Sequence, residues 1–167
     1  MKVLLYRNKG RLCPTSMAAI LLFAAIAPGQ TVTGKHVRVA VSARPQTVHP
    51  GDRVTLAMDL SLNPGLHVYA PGVEDFIPIA WSMKPNPAAA VQPVTFPPSR
   101  KVHLPIIDET VPVYEGHIHL ARNAILSKSA MGNITLEGVL RYQACDDRMC
   151  YIPENLAVKW TLQVQSR

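Results

Sequence analysis

The sequence predicts an all-β protein built as an antiparallel β-sandwich, and three observations support this fold class. The first is an alternation of apolar and polar residues with a period of two, which is typical of strands with one buried face. The second is a set of Pro, Gly and Asn turn signals between the alternating runs. The third is proline usage, because only Pro14 and Pro28 of the fifteen prolines lie before residue 30 and the others disfavour long helices.

Five alternating runs are justified by their residues. In one of the two longest, Val54, Leu56 and Met58 alternate with Thr55 and Ala57. A single strand with this pattern buries one side chain in two. The alternating runs cover residues 37–41, 53–62, 117–121, 134–143 and 158–165, and shorter candidate strands cover residues 66–69, 79–83 and 91–96.

Seven or eight short strands separated by turns favour a sandwich of the immunoglobulin-like kind. Trp81 and Trp160 stand at apolar positions of two of these strands, and we expect both in the core. Residues 97–112 form the longest stretch without a clear period. We expect a long ordered loop there, and such loops in compact domains are often functional.

Residues 1–29 have the pattern of a signal peptide. Basic residues without acidic ones precede an apolar run over residues 17–27, and this run is too short for a membrane span. If the signal peptide is removed, residues 30–167 form one exported domain in the periplasm. The alternative is that residues 1–29 stay as an uncleaved N-terminal anchor.

The charge of the chain does not indicate a nucleic-acid partner. The chain has 17 Lys and Arg against 11 Asp and Glu, and residues 1–29 hold four of the basic residues and none of the acidic ones. Without those four, 13 basic residues face 11 acidic ones. The net charge of residues 30–167 therefore gives no electrostatic case for a nucleic-acid partner.

Cys145 and Cys150 are the two cysteines outside the predicted signal peptide, and they lie in a loop between two strand-like runs. In an oxidising compartment they are expected to pair. The loop that they would close contains about six residues and would stabilise the fold by roughly 2 kcal/mol, which is little for a structural disulfide. Asp146 and Asp147 lie between them beside one arginine, so the local charges do not clearly activate either thiol. A compact reversible dithiol and an inert structural disulfide both remain open.

Two histidines suggest an alternative site. His117 and His119 would share one strand face, which is half of a metal site, and the cysteines and Met149 could be imagined to complete it for zinc or copper. Solvent-facing strand residues are the simpler interpretation. We predict no metal, no cofactor and no small-molecule substrate.

The cysteine stretch resembles a known family. The resemblance depends on residues 142–153, YQACDDRMCYIP, with looser similarity at residues 65–69 (GLHVY), 77–81 and 114–116 (YEG). The sequence is similar there to the periplasmic N-terminal domain of the thiol:disulfide interchange protein DsbD, over essentially all of residues 30–167. The resemblance implies an immunoglobulin-like fold. It also implies a redox pair at Cys145 and Cys150, of which the later cysteine joins partner proteins.

Further site residues are implied by the same resemblance. Residues 112–114 correspond to a cap loop that shields the cysteine pair, with Tyr114 as its tyrosine and Val113 where an aromatic residue is expected. His67 and Tyr69 correspond to an aromatic pair beside the site. These roles come from the resemblance and not from periodicity or spacing.

The resemblance also implies partners. DsbD passes electrons from its membrane part to periplasmic disulfide isomerases and cytochrome-maturation thioredoxins, and this sequence ends at Arg167. We therefore expect periplasmic thioredoxin-fold partners and a separately encoded membrane thiol reductase as electron donor. The leading hypothesis is an electron shuttle similar to a protein-disulfide reductase. The alternatives are a non-catalytic secreted immunoglobulin-like binding module with a structural hairpin disulfide, and a periplasmic metal-binding protein.

Overall fold

The computed structural model describes residues 30–104 and 108–166, so the predicted signal peptide lies outside the described residues. Every regular element in these two ranges is a β-strand, and neither range contains a helix able to cross a membrane. The described strands are β1 (Thr31–Thr33), β2 (Val37–Arg44), β3 (Thr47–Val48), β4 (Arg53–Leu62), β5 (His67–Tyr69), β6 (Ala80–Met83), β7 (Ala89–Val91), β8 (Arg100–Leu104), β9 (Glu109–Glu115), β10 (His117–Leu126), β11 (Gly132–Tyr142), β12 (Ala144–Cys145) and β13 (Glu154–Val164).

Two sheets form the sandwich. One has the strand order β1-β2-β4-β10-β7, and the other has the order β3-β13-β11-β6. The strand pairs within them are antiparallel apart from the short pairing of β3 with β13. Apolar side chains from both sheets meet in one hydrophobic cluster. The predicted immunoglobulin-like antiparallel β-sandwich is therefore confirmed.

The period-two pattern places the core as predicted. On β4, Leu56, Met58 and Leu60 are all buried. Trp160 on β13 donates a hydrogen bond from Nε1 to the carbonyl of a β4 residue at 3.3 Å, and its ring stacks on Trp81 with centroids 5.1 Å apart. Both tryptophans are buried, so their expected place in the core is confirmed.

A third sheet, β12-β5-β9-β8, carries the cysteine pair on one of its faces. One face of this sheet joins the sandwich core through residues such as Val68. The other face holds a separate small cluster of Tyr69, Val111, Val113 and Cys145. Because successive strand residues point to opposite faces, the sheet can serve the core and the site at the same time.

The stretch over residues 97–112 is not the long loop that was expected. Strand β8 and the first part of β9 fall within it, and they pair from Arg100↔Val113 to Leu104↔Glu109. Most β8 side chains are exposed, so the alternation that marks a half-buried strand is weak. An edge strand of this kind gives little sequence signal.

The candidate strand at residues 91–96 is also shorter than expected. Strand β7 ends at Val91, and farther along only Thr95 makes an isolated bridge, to Ala121. Pro93 lies between them and has no N–H to give to a ladder.

The longest hairpin positions the cysteine loop. Strands β11 and β13 pair over eleven positions, from Gly132↔Val164 to Tyr142↔Glu154. Residues 143–153 connect the last pair and contain both cysteines and the short strand β12. The loop is thus held at its base by two strands of the main sandwich.

We expect the fold to survive without the disulfide. Neither cysteine belongs to the main hydrophobic cluster, and the closed loop is short, so Cys145→Ser combined with Cys150→Ser should lower the free energy of unfolding by only about 2 kcal/mol. Chemical denaturation followed by tryptophan fluorescence would measure this. Loss of the cooperative transition in the double variant would instead identify the disulfide as a structural requirement.

Candidate functional site: the cysteine loop

The cysteine loop folds back on itself as a tight turn. The backbone N–H of Tyr151 donates to the carbonyl of Ala144 at 2.8 Å. Between these two residues, Cys145 and Cys150 form an antiparallel β-bridge. The disulfide between these two cysteines, with an S–S distance of 2.00 Å, joins the two sides of the turn. The predicted pairing is therefore present in the structure.

The base of the loop is closed by a tyrosine–glutamate pair. The Tyr142 hydroxyl donates to Glu154 Oε2 at 2.8 Å, and the N–H of Lys35 donates to the same oxygen at 3.1 Å. Burial, followed by the neighbouring carboxylate, raises the pKa of Tyr142. The ring of His36 packs against that of Tyr151 with centroids 4.3 Å apart and the planes tilted by 32°. The lead-in to β2 thus packs against the base of the loop.

Asp146 holds the tip of the turn. Its Oδ1 accepts hydrogen bonds from the N–H groups of Arg148 and Met149, both at 2.8 Å, and its Oδ2 accepts one from the Tyr151 hydroxyl at 2.9 Å. The two backbone N–H groups and then this hydroxyl lower the pKa of the Asp146 carboxyl. The Asp146 carboxylate is therefore engaged in shaping the loop, as the acceptor of an Asx turn.

The two cysteines of the disulfide differ strongly in solvent exposure. Cys145 is 1% exposed, whereas Cys150 lies on the surface. Met149 and Ile152 flank Cys150 and are 57% and 82% exposed, and they are two of the four exposed large apolar residues in the described ranges. A partner can reach Cys150, and it would meet apolar side chains on both sides of it.

His67 and Tyr69 line the site from β5. The Tyr69 hydroxyl lies 3.8 Å from Cys150 Sγ and is the donor of this contact, because a disulfide sulfur has no hydrogen. Burial raises the pKa of Tyr69, and Glu109 adds to this effect. His67 pairs directly opposite Cys145 in the third sheet. The structure therefore brings both residues of the expected aromatic pair to the cysteines.

The segment that follows β5 covers Tyr69. Residues 71–78 leave β5 and return, so that Pro78 bridges to Tyr69 and the Ile79 N–H donates to the Tyr69 carbonyl at 2.9 Å. Phe76 in this segment stacks on the Tyr69 ring at 4.3 Å with an interplanar angle of 19°. The available signal in the sequence was a single aromatic residue between Pro71 and Pro78.

The structure separates the two residues of the expected cap. Val113 is buried in the same small cluster as Cys145, but its neighbour Tyr114 belongs to the main core and donates its hydroxyl to the carbonyl of Pro97 at 2.9 Å. Residues 112–114 are part of strand β9 and not a loop. Tyr114 therefore points to the opposite face of the third sheet from the cysteine pair.

The two strand histidines lie in a different sheet from the cysteines. His119 Nδ1 is 2.6 Å from Asp59 Oδ1, and His117 Nδ1 is 3.0 Å from Ser61 Oγ, both across the β4–β10 pair. In the described part of the chain, no three His, Cys, Asp or Glu side chains are grouped so as to hold a metal ion. The structure thus does not join these histidines to the cysteines.

We expect Phe76→Ala to raise the rate at which the reduced protein reacts with a small thiol reagent. Phe76 stacks on Tyr69 and packs against the small cluster that contains buried Cys145, so its removal should expose that thiol. An aromatic pair contributes about 0.5–1.5 kcal/mol, which corresponds to an increase of roughly two- to tenfold. Alkylation kinetics would measure it. Tyr114→Leu is the matched comparison and should leave the rate unchanged, while a faster reaction with the fold intact would support the cap role implied for Tyr114.

Asp146→Ala should loosen the turn, because it removes the acceptor of three hydrogen bonds. The amide protons of Arg148 and Met149 should then exchange at least several-fold faster, whereas Asp147→Ala, at an exposed position, should have no such effect. In the unmodified protein the pKa of Asp146 is lowered, so the protection is complete above the ordinary carboxyl pKa and disappears as the pH falls through the lowered value. An NMR titration of these amides that showed protection lost near neutral pH would contradict this role.

Three solved structures are similar to this chain. The N-terminal periplasmic domain of ScsB from Proteus mirabilis has a TM-score of 0.54 and 14% identity, with 80% of this chain and 49% of that chain covered. The reduced N-terminal domain of DsbD from Neisseria meningitidis has a TM-score of 0.47 and 15% identity, covering 74% of this chain and 85% of that one. A complex of the DsbD and PilB N-terminal domains from the same organism has a TM-score of 0.45 and 16% identity, covering 65% of this chain and 79% of that chain.

The chain spans about half the length of the ScsB structure, and that likeness concerns the fold alone. A search of curated proteins found no match to this sequence. A sequence model of the family described as "Thiol:disulfide interchange protein DsbD, N-terminal" matches residues 36–161, which include both cysteines and all four strands of the third sheet. The chain therefore belongs to the family of DsbD N-terminal domains.

Proposed function

We propose that this chain is a periplasmic thiol–disulfide exchange domain that relays electrons through Cys145 and Cys150 to other periplasmic proteins. The observation that carries the proposal is the difference between the two sulfurs of one disulfide. Cys145 is buried on the third sheet, and Cys150 is exposed on the turn. Exchange requires one accessible sulfur that joins a partner and one protected sulfur that resolves the mixed disulfide.

Electrons would arrive by attack of a donor thiolate on Cys150 Sγ. A bond forms between the donor sulfur and Cys150, the bond between the two cysteines breaks, and Cys145 leaves as a thiolate. The second thiol of the donor then attacks the donor sulfur that is bonded to Cys150. This closes the donor disulfide and releases Cys150 as a thiolate. The donor dithiol is oxidised to a disulfide, and this domain is reduced to a dithiol.

Electrons would leave by the reverse sequence. The Cys150 thiolate attacks a disulfide of the acceptor, which forms a mixed disulfide and releases one acceptor thiolate. Cys145 then attacks Cys150 Sγ, closes the internal disulfide and releases the second acceptor thiolate. The acceptor is thereby reduced by two electrons.

Proteins are the partners that this surface suits best. Met149 and Ile152 expose apolar side chains on both sides of Cys150, and exposed apolar groups around a reactive atom are typical of protein contact sites. We propose thioredoxin-fold acceptors, such as a disulfide isomerase or a cytochrome-maturation protein, and a membrane thiol reductase as the donor. Periplasmic location is supported by the family and by the leader-like pattern of residues 1–29.

Trapping tests the division of labour between the cysteines. Cys145→Ser should accumulate a covalent complex with a periplasmic protein, because Cys150 can form the mixed disulfide and nothing within the domain resolves it. Cys150→Ser should yield at least about tenfold less complex, since its remaining thiol is buried. Non-reducing electrophoresis followed by mass spectrometry would measure and identify the complex, and the double serine variant is the control.

The opposite trapping pattern would reverse the assigned roles of the two cysteines. No complex with either variant, together with a reduction potential below about −300 mV, would favour an inert structural disulfide. A binding module with a hairpin disulfide would then be the better description of this chain.

A further inference from the structure

His67 is a buried polar side chain with an unpaired ring nitrogen, Nε2. It is 4% exposed, and it is the one buried polar or charged residue among those described. Its Nε2 atom makes no hydrogen bond to the described protein atoms in this disulfide-bonded state. A buried donor or acceptor that is left unpaired destabilises a fold, so a paired state of His67 would be expected elsewhere in the protein's working cycle.

The position of His67 relates it to the buried cysteine. His67 on β5 and Cys145 on β12 are directly opposite in an antiparallel pair, so their side chains project from the same face, with Cβ atoms roughly 4.5–5.5 Å apart. The ring of Tyr69 lies edge-on to His67, with centroids 5.6 Å apart. Tyr69 thus borders the exposed sulfur of Cys150, while His67 borders the sulfur that solvent reaches least.

The exchange cycle creates a need for a proton acceptor at this place. When the domain is reduced, Cys145 is a buried thiol, and it must lose its proton before it can resolve a mixed disulfide. Breaking the disulfide also frees the Cys145 sulfur to move toward the opposite strand. We propose that His67 accepts the proton of the Cys145 thiol in the resolving step, an inference that rests on the exchange function proposed above.

The step balances as follows. The Cys145 thiol gives its proton to His67 Nε2, and the resulting thiolate attacks Cys150 Sγ. The sulfur–sulfur bond of the internal disulfide forms, the bond from Cys150 to the partner breaks, and the partner sulfur leaves with the electron pair as a thiolate. The His67 imidazolium then releases its proton to water or to the departing thiolate.

The surroundings of His67 suit this role in both protonation states. Burial lowers the pKa of His67, which keeps the ring neutral and able to accept a proton near pH 7. Three carboxylates oppose this effect and stabilise the imidazolium once it has formed: Glu115 from β9, and Asp147 and Asp146 from the cysteine loop. Tyr69 and Cys145 are the other titratable side chains that face His67.

A chromogenic disulfide separates the two thiol reactions. Reduced protein mixed with a small excess of 5,5′-dithiobis(2-nitrobenzoic acid) should release one coloured thiolate when Cys150 attacks and a second when Cys145 resolves the mixed disulfide. In the unmodified protein the second phase should become faster with pH and level off once His67 is neutral. Stopped-flow absorbance measured between pH 5 and pH 9 follows both phases.

Replacement of His67 should change only the second phase. His67→Phe keeps a ring of similar size without a proton acceptor, and it should slow the second phase at pH 7 by at least about tenfold. Its rate should then rise continuously up to the pKa of the thiol itself. His67→Gln can accept a hydrogen bond but not a proton and should show the same loss. His36→Phe, which replaces another ring packed at the loop, is the matched control and should behave as the unmodified protein.

The outcomes separate the two proposals. Superimposable pH profiles of the second phase in the unmodified protein and either His67 variant would overturn the role of His67 and leave the shuttle intact. Absence of the first phase in the unmodified protein would instead count against the exchange function. If His67→Phe does not fold, His67→Gln provides the test. The proposal is overturned if the second phase of His67→Gln has the same rate and pH profile as that of the unmodified protein.

Discussion

The alternation of side chains across the third sheet is the constraint on which the site depends. Strand β5 presents Val68 to the sandwich core and His67 and Tyr69 to the cysteine pair, and the other strands of this sheet follow the same rule. A shift of one residue in any of these pairings would exchange the core face with the site face. The same hydrophobic packing that stabilises the sandwich therefore fixes which residues surround the disulfide.

The loop itself adds a second level of order that does not come from the core. Asp146 binds two backbone N–H groups and a tyrosine hydroxyl, and the Tyr142–Glu154 pair closes the base of the loop. Each of these contacts replaces hydrogen bonds to water, so each contributes little to the free energy of unfolding. Together they still fix the conformation of the loop. The two sulfurs thus lie on a turn whose backbone has its own support.

The sequence supports the sandwich well because alternation is a strong signal in long, half-buried strands such as β4 and β13. It fails at the exposed edge strand β8, where few side chains are buried and periodicity cannot report a partner strand. Within the site, the cysteine pair and the two β5 aromatics are recognisable from motif resemblance. The position of Tyr114 cannot be recognised in this way. Its side of the sheet depends on strand β9, and the proline at position 112 makes that strand hard to recognise in the sequence.

The cover provided by Phe76 illustrates a different limit. Its stack on Tyr69 joins residues seven positions apart through a segment without regular structure, and no local pattern specifies how such a segment returns to the sheet. The unpaired nitrogen of His67 is similar, since burial of a histidine in a short strand follows from the third sheet as a whole. Both features depend on tertiary packing and become visible only when the strands are assembled.

The direction of β13 has a practical consequence for handling this domain. The strand starts at Glu154, at the base of the cysteine loop, and ends at Val164, ten residues and roughly 33 Å away along an extended strand. The cysteine loop and the end of β13 thus lie at opposite ends of the sandwich. A linker attached after β13 would orient the loop outward from a bead, an electrode or a fusion partner, so immobilised domain should keep its sulfurs open to soluble proteins.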